Sequence, residues 1–149
     1  ALPGKFFQQV ARLKLTTTLS ASAPAQGAVA DYLAKGGYDK HLRQLRHALS
    51  VQQTAMMQAV VRHFPTGTRS TRPNGGYFLW IELPAEVDTL DIHRKAMAHG
   101  ISVAPGPMFS ANRNFANCLR LNYGHPWDRR AEAAVATLGR LIGNAVARP

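Results

Sequence analysis

The sequence has almost no cysteine and no long apolar run. Cys118 is the only cysteine among 149 residues, so the chain cannot form an intramolecular disulfide or a Cys-x-x-Cys redox or zinc site. No apolar stretch approaches the roughly 18 to 20 residues that span a bilayer. The N-terminal "ALPGKFFQQV" also lacks the continuous apolar core of a secretory signal. We therefore expect a cytoplasmic protein that has no membrane partner.

Acidic residues are scarce as well, because 8 Asp and Glu stand against 18 Lys and Arg and leave a formal net charge of +10. Such an excess attracts nucleic acids and other polyanions, so a small basic nucleic-acid-binding module is one alternative. The basic residues are nevertheless scattered over several predicted elements, and no run of five occurs. This distribution favours a solvated basic surface over a nucleic-acid groove.

The signatures of several enzyme classes are missing too. The chain contains no G-x-S-x-G, G-x-x-x-x-G-K-[ST], G-x-G-x-x-G or H-E-x-x-H motif. His41 and His47 are six residues apart, as are His93 and His99, so each pair points to different helix faces and cannot jointly bind a metal. Cys118 lies in an apolar segment and is more typical of a small buried hydrophobe than of a nucleophile. We expect no catalytic residue and no metal site in this chain.

The residues that are present predict a globular α+β fold. Apolar residues make up 46% of the chain, and their spacing predicts helices over 4–15, 24–36, 39–63, 88–99 and 126–147. A threonine-rich stretch after the first helix is expected to interrupt it. Aromatic and β-branched content predicts strands at "YFLWIEL", "ISVAPG" and "CLRLNY". This order favours a small sheet covered by helices.

Arg120 is a single charge within the apolar segment "NCLRLNYGHPW". On a strand, Arg120 shares a face with Cys118 and Asn122, while Leu119 and Leu121 lie on the opposite face. A guanidinium oriented in this way matches a carboxylate in a bidentate pair. The alternative is an arginine that reaches solvent or forms a structural salt bridge, and the residues alone favour that alternative.

Three ordered segments, "RPNGGYFLWIELP", "GISVAPGPMFS" and "NCLRLNYGHPW", precede the last predicted helix. Together they resemble the C-terminal part of fold-type I pyridoxal-phosphate aminotransferases. The chain looks most like the aminotransferase-like domain of MocR-type transcription regulators in the GntR superfamily. The resemblance covers nearly the whole chain, and it implies a mainly antiparallel small sheet packed on helices.

The resemblance also implies roles for individual residues. In the family, the arginine of the "LRLN" strand binds the α-carboxylate of the amino-acid substrate or ligand, which assigns this role to Arg120 with Asn122 as its neighbour. Segments that border the family's substrate pocket match a further set here: Gly75, Gly76, Tyr77, Pro105, Gly106 and Phe109.

The family's Schiff-base lysine and the aspartate that pairs with the cofactor's pyridinium nitrogen lie upstream of the part that this chain matches. None of the five lysines present has the S-x-S-K-like setting of that lysine: Lys5, Lys14, Lys35, Lys40 and Lys95. We therefore expect pyridoxal 5'-phosphate in a full-length parent and no bound cofactor or transamination in this chain alone.

The resemblance divides the chain into three parts. Residues 1–36 correspond to a remnant of the large cofactor-binding domain, residues 37–65 to a long connecting helix, and residues 66–149 to the small C-terminal domain. We thus expect a C-terminal fragment of a longer protein.

Two identities fit this fragment. The first is a MocR-type regulator, which would bind DNA through an N-terminal winged helix, sense an amino-acid-like molecule and form a homodimer. The alternative is a metabolic pyridoxal-phosphate aminotransferase.

Overall fold

The computed structural model describes residues 4–147, and the chain divides into two compact units with the boundary between Gln44 and Leu45. The described residues contain five α-helices: α1 (Phe7–Thr17), α2 (Ala23–Ala34), α3 (Gly37–His63), α4 (Thr89–Met97) and α5 (Arg129–Val146). They also contain four strands: β1 (Arg69–Ser70), β2 (Phe78–Glu82), β3 (Ala104–Pro105) and β4 (Cys118–Asn122). Over the same range, no helix has both the length and the apolar character needed to cross a bilayer.

The first unit contains α1, α2 and the start of α3. The threonine-rich stretch does not end α1 where the sequence predicts, since the helix continues to Thr17. The hydroxyls of Thr16 and Thr17 donate to the carbonyl of Leu13 at 3.0 and 2.7 Å, and such back-bonding accommodates threonine within a helix. No side chain of α1 or α2 is buried.

A double glycine separates α2 from α3. Gly36 has a φ of +70°, a left-handed conformation that commonly ends a helix. At Gly37 a Cβ atom would lie 2.5 Å from the ring of Tyr32, so only glycine fits there without rearrangement. The long helix predicted over 39–63 is confirmed, and it begins two residues earlier, directly at Gly37. Its assignment as an interdomain connection stays a prediction, and the outermost residues of the predicted domain ranges, 1–3 and 148–149, lie outside the described residues.

The second unit is built on an antiparallel sheet with the strand order β1-β2-β4-β3. The predicted α+β class with a small antiparallel sheet is therefore confirmed. The sequence predicts no strand ahead of "YFLWIEL", but the segment before β2 supplies the edge strand β1. Thr71 extends this pairing, because its amide donates to the Trp80 carbonyl at 2.9 Å and its hydroxyl accepts from the Trp80 amide at 3.0 Å.

The hydrophobic core lies on one face of this sheet. Alternate residues of β2 and β4 are fully or almost fully buried and pack with apolar side chains of α3, α4 and α5: Met56, Val60, Leu79, Ile81, Ile92, Leu119, Leu121, Leu138 and Ile142. Each such aliphatic side chain stabilises the fold by roughly 1.5 to 3 kcal/mol. The intervening residues of β2 and β4, which include Phe78, Trp80 and Arg120, therefore lie on the opposite face.

The C-terminal helix α5 is fixed to the end of α3. Gly139 of α5 contacts the backbone carbonyl of His63 so closely that a Cβ atom could not fit between them. Glu132 accepts hydrogen bonds from Arg62 at 3.0 Å and forms one with His63 at 2.8 Å. The hydrogen bonds of these groups lower the pKa of Glu132, with His63 as the larger cause.

Asp88 and Asp128 cap two helices of this unit. Asp88 accepts from the amide of Leu90 at the start of α4, and Asp128 accepts from the amide of Ala131 at the start of α5.

Candidate functional site

Arg120 lies in β4, and its guanidinium is held between two phenyl rings. The Cζ atom is 4.0 Å from the ring centre of Phe78 and 4.4 Å from that of Phe109. Phe78 is in β2, which pairs with β4, whereas Phe109 comes from the 3-10 turn Gly106–Phe109 that follows β3. Cation–π contacts of this kind contribute from about 0.5 kcal/mol at exposed sites to about 2 kcal/mol where water is excluded.

The guanidinium has no acidic partner in the part of the chain that the structure describes. Its Nε atom is buried and makes no hydrogen bond there. The side chain is half-buried, so it is neither a freely solvated surface arginine nor a member of a described salt bridge. An arginine whose orientation is fixed by ring contacts, and whose charge is unpaired, can bind a carboxylate.

Trp80 and Phe115 extend the aromatic surface beside Arg120. The rings of Phe109 and Phe115 each meet Trp80 edge-on, both with centres 5.6 Å apart. The backbone of Gly106 lies against the carbonyl oxygen of Phe115 so closely that no Cβ atom could be accommodated. Gly106 thus fixes the turn that carries Phe109 against the loop that carries Phe115.

A cleft of about 500 Å³ opens next to Arg120. The β3–β4 pairing ends at Ala104 and Arg120, and beyond this point Ser102 and Val103 line one side of the cleft while Asn122 lines another. Apolar side chains of α3 and α5 line much of the rest: Met56, Ala131, Ala134, Val135 and Leu138. This volume is within the range of small-molecule sites.

His93 is a polar member of this cleft. Its Nδ1 atom is buried and has no hydrogen-bond partner among the described residues. Two residues that line the cleft, His93 and Arg120, thus each have one buried polar atom without a partner among the described residues.

The structure brings some of the predicted neighbours to Arg120. Phe109 contacts its guanidinium and Asn122 lines the same cleft, although the Oδ1 atom of Asn122 already accepts from the amide of Gly124 at 2.7 Å. Pro105 and Gly106 are buried behind this surface and shape it without lining the cleft.

The predicted "GGYF" residues lie elsewhere. Gly75 and Gly76 line a different cleft, which also contains Arg46 and Arg72. Tyr77 is about half exposed, and its ring centre is 4.5 Å from that of Phe78. Among the described residues, the set predicted from the resemblance is thus divided between two places, and its role in ligand binding stays a prediction.

Phe78, Trp80, Phe115 and His93 were not among the predicted site residues. Strand alternation within "FLWIE" could have identified Phe78 and Trp80, because they share the face of Arg120. The positions of Phe115 and His93 depend on loop conformation and on helix packing, for which the sequence offers no local signal.

Neither the cysteine nor a metal cluster adds chemistry to this site. Burial, and then the charge of Glu82, raise the pKa of the Cys118 thiol, which makes it a poor nucleophile. In residues 4–147 no group of three or more His, Cys, Asp or Glu side chains could hold a metal ion.

The described residues also do not fit the Schiff-base role of a cofactor lysine. No lysine lines the Arg120 cleft. Lys35 donates to Asp31 at 2.8 Å and Lys95 pairs with Asp91 at 2.6 Å.

The α+β fold of this chain is that of solved aminotransferases. The sequence profile of the aminotransferase class I and II family matches residues 5–136, and the chain belongs to that family. This confirms the resemblance to aminotransferases drawn from the three sequence segments.

Several relatives are named as uncharacterized HTH-type transcriptional regulators, and others are named as aminotransferases. The chain is 42% identical over 139 residues to the HTH-type transcriptional regulator YdcR of Escherichia coli K12, and the match covers 93% of this chain and 30% of YdcR. It is 36% identical over 111 residues to the 2-aminoadipate transaminase of Thermus thermophilus, covering 74% of this chain and 28% of that enzyme. The chain thus spans about a third or less of the length of the proteins it matches.

Solved aminotransferases share the fold. The multiple substrate aminotransferase of Thermococcus profundus superposes with a TM-score of 0.86 at 25% identity, over 96% of this chain and 36% of that one. LysN, the α-aminoadipate aminotransferase of Thermus thermophilus, superposes with a TM-score of 0.79 at 32% identity, over 94% of this chain and 36% of that one. That LysN structure contains N-(5'-phosphopyridoxyl)-L-leucine, so pyridoxal-derived groups occur in this family.

Proposed function

We propose that this chain is the C-terminal, aminotransferase-like part of a cytoplasmic MocR-type transcription regulator. In this proposal Arg120 binds the carboxylate of an amino-acid-like ligand. The observation that carries the proposal is the guanidinium of Arg120, which two phenyl rings orient and no described carboxylate neutralises. The similarity to YdcR over nearly the whole chain supports the regulator identity.

The same proposal assigns the remaining parts of the full-length protein. Residues 1–36 belong to the large domain, residues 37–65 connect the domains and residues 66–149 form the small domain. The full-length protein binds DNA through an N-terminal winged helix, forms a homodimer and holds pyridoxal 5'-phosphate through residues outside this chain. Asn122 and Phe109 act as neighbours of the carboxylate site.

A metabolic aminotransferase is the second candidate, and the similarity to the Thermus 2-aminoadipate transaminase favours it. The two identities differ in DNA binding. In a gel mobility-shift assay, a regulator binds DNA that flanks its own gene, and an amino acid changes the amount of DNA that it binds. A protein that leaves this DNA unbound and transfers amino groups with turnover is the metabolic enzyme, and the regulator proposal then fails.

The carboxylate role of Arg120 is tested by ligand binding. The full-length protein is first screened against the standard L-amino acids by thermal shift, and the strongest ligand is then titrated calorimetrically. Replacing Arg120→Ala weakens binding by about 1.5 to 3 kcal/mol, the range for a hydrogen bond to a charged group, which corresponds to roughly 10- to 150-fold in Kd.

Arg140→Ala is the matched control, because Arg140 is exposed on α5 and, within the described part of the chain, its side chain donates to Thr137 alone, at 3.1 Å. It removes one positive charge without touching the cleft, and the Kd stays unchanged. If Arg120→Ala and Arg140→Ala bind the amino acid equally well, Arg120 does not bind its carboxylate. If no L-amino acid binds the wild-type protein, the proposed ligand class is wrong.

A further inference from the structure

The second cleft, which contains Gly75 and Gly76, has a volume of about 480 Å³ and lies within the second unit. One wall is α3, with Arg46, Ser50 and Gln53, and the other is the loop 72–76 that leads into β2. We call it the basic cleft, because Arg46 and Arg72 line it and no carboxylate of residues 4–147 does.

The loop wall of the basic cleft is held in place by hydrogen bonds of the half-buried Gln53 and the buried Tyr123. The Nε2 atom of Gln53 donates to the carbonyl of Pro73 at 2.8 Å and to the hydroxyl of Tyr123 at 3.1 Å. The same hydroxyl donates to the carbonyl of Gly76 at 3.1 Å. Because Tyr123 is only 3% exposed, these bonds hold the loop against α3 and the end of β4. The cleft is therefore a preformed concavity.

The free donors of this loop are its backbone amides. Among the described residues, the amides of Asn74, Gly75 and Gly76 donate to no acceptor. A Cβ atom on Gly75 would meet no atom within 4 Å, so packing does not require glycine at this position. A ligand that approaches the backbone closely would explain it.

The charges of the basic cleft are also unpaired. Arg46 and Arg72 form no ion pair with any described carboxylate, although Arg62 and Arg69 are each paired with a glutamate. Two like charges that line one concavity concentrate the positive potential there and attract an anion.

We propose that the basic cleft binds the phosphate group of a small phosphate monoester, separately from the carboxylate site at Arg120. A phosphate monoester has close to two negative charges and three acceptor oxygens at neutral pH. These match two guanidinium groups and a row of free amides better than a single carboxylate does. The cleft is larger than a bare anion needs, so it also accommodates the body of the ligand. A DNA backbone is the poorer match, since it favours an extended basic surface over one concave cleft.

The test is calorimetric titration of the full-length protein at physiological salt in a phosphate-free buffer. The probes are inorganic phosphate, glycerol 3-phosphate and acetate. The double variant Arg46→Ala/Arg72→Ala is expected to lose at least about tenfold in affinity for both phosphate probes, because two charge-assisted contacts are removed. Gly75→Ala, which keeps both charges, also weakens binding, because its methyl group blocks the amides.

The matched control is Arg43→Ala/Arg140→Ala, which removes the same charge from exposed positions outside the cleft and leaves the phosphate affinity unchanged. Both arginines of the cleft are exposed, so both double variants keep their thermal midpoint. Arg120→Ala also keeps the phosphate affinity, which separates this site from the amino-acid site.

Three results overturn the proposal. The first is a wild-type protein that binds neither phosphate probe, or that binds both probes only as well as the Arg46→Ala/Arg72→Ala variant does. The second is acetate binding that is tighter than phosphate binding in Arg120→Ala and is lost when Arg46 and Arg72 are also replaced, which would make the cleft a carboxylate site. The third is a loss of DNA binding in the same double variant, which would assign these arginines to nucleic acid.

Discussion

The contact between Phe109 and Arg120 permits a sharp test of how the guanidinium is held. The Nε atom has no hydrogen-bond partner among the described residues, and the ring centres of Phe78 and Phe109 lie 4.0 and 4.4 Å from Cζ. Phe109→Leu removes one ring and retains an apolar side chain. A cation–π contact of a half-buried arginine contributes about 1 kcal/mol, so the variant binds the amino-acid ligand about fivefold more weakly.

Phe115→Leu is a closely matched control for this change. Phe109 and Phe115 are 42% and 50% exposed, and each ring lies 5.6 Å from Trp80 in an edge-on contact. Both variants therefore lose a similar aromatic contact with Trp80, and their thermal midpoints fall by similar amounts. Only Phe109 also contacts Arg120.

The assay is calorimetric titration of the same L-amino acid into the wild-type protein and the two variants. We expect weaker binding for Phe109→Leu and unchanged binding for Phe115→Leu. Wild-type affinity in Phe109→Leu would refute the claim that the Phe109 ring orients Arg120, and an equal loss of affinity in both variants would attribute the effect to Trp80.

Three further predictions concern stability and reactivity. Gly139→Ala forces a Cβ atom against the backbone of His63 and destabilises the protein by roughly 1 to 3 kcal/mol in denaturant unfolding, whereas Gly143→Ala on the same helix, with open space around it, does not destabilise. Because folding lowers the pKa of Glu132, its ionised carboxylate stabilises the fold at pH values above the ordinary pKa of 4.5. This stabilisation is lost as the pH falls through the folded-state pKa. The melting difference between Glu132→Gln and wild type should therefore shrink in acid, and a constant difference would exclude this linkage. Iodoacetamide should label Cys118 slowly at neutral pH until urea unfolds the chain, and rapid native labelling would contradict its raised pKa.

The sequence predicted the elements whose periodicity is strong. The apolar spacing identified α3, α4 and α5, and the alternation around Arg120 placed its side chain on the face opposite Leu119 and Leu121. These predictions succeed because burial on one face of a helix or strand imposes a local pattern. The two-residue strand β1 was missed, because its pairing depends on Thr71 and the facing strand and not on a pattern of its own.

The candidate site was only partly predictable. The resemblance pointed to Arg120, Asn122 and Phe109; in the structure Arg120 and Asn122 line one cleft, and Phe109 contacts the Arg120 guanidinium. It did not show that Gly75 and Gly76 line a separate cleft. That separation depends on how the loop 72–76 is tied to α3 by Gln53, a contact between residues distant in sequence that no local motif encodes.

The position of Arg120 links the fold to the proposed function. β4 is an interior strand of the sheet, paired on both sides at this residue, with Trp80 opposite it in β2 and Ala104 opposite it in β3. The backbone that carries the guanidinium is therefore rigid, and the phenyl rings restrict the side chain. A preorganised donor loses little conformational freedom when it binds a carboxylate.

The claim that Arg120 binds the carboxylate of the ligand is tested most directly by comparing two ligands on two forms of the protein. The L-amino acid that binds most strongly and its carboxamide are each titrated into the full-length wild-type protein and into Arg120→Ala. The wild-type protein should prefer the carboxylate by about 1.5 to 3 kcal/mol, since the amide removes the charge that the guanidinium binds, and Arg120→Ala should bind both ligands with similar Kd. An Arg120→Ala variant that retains the full preference for the carboxylate would contradict the claim that Arg120 binds it.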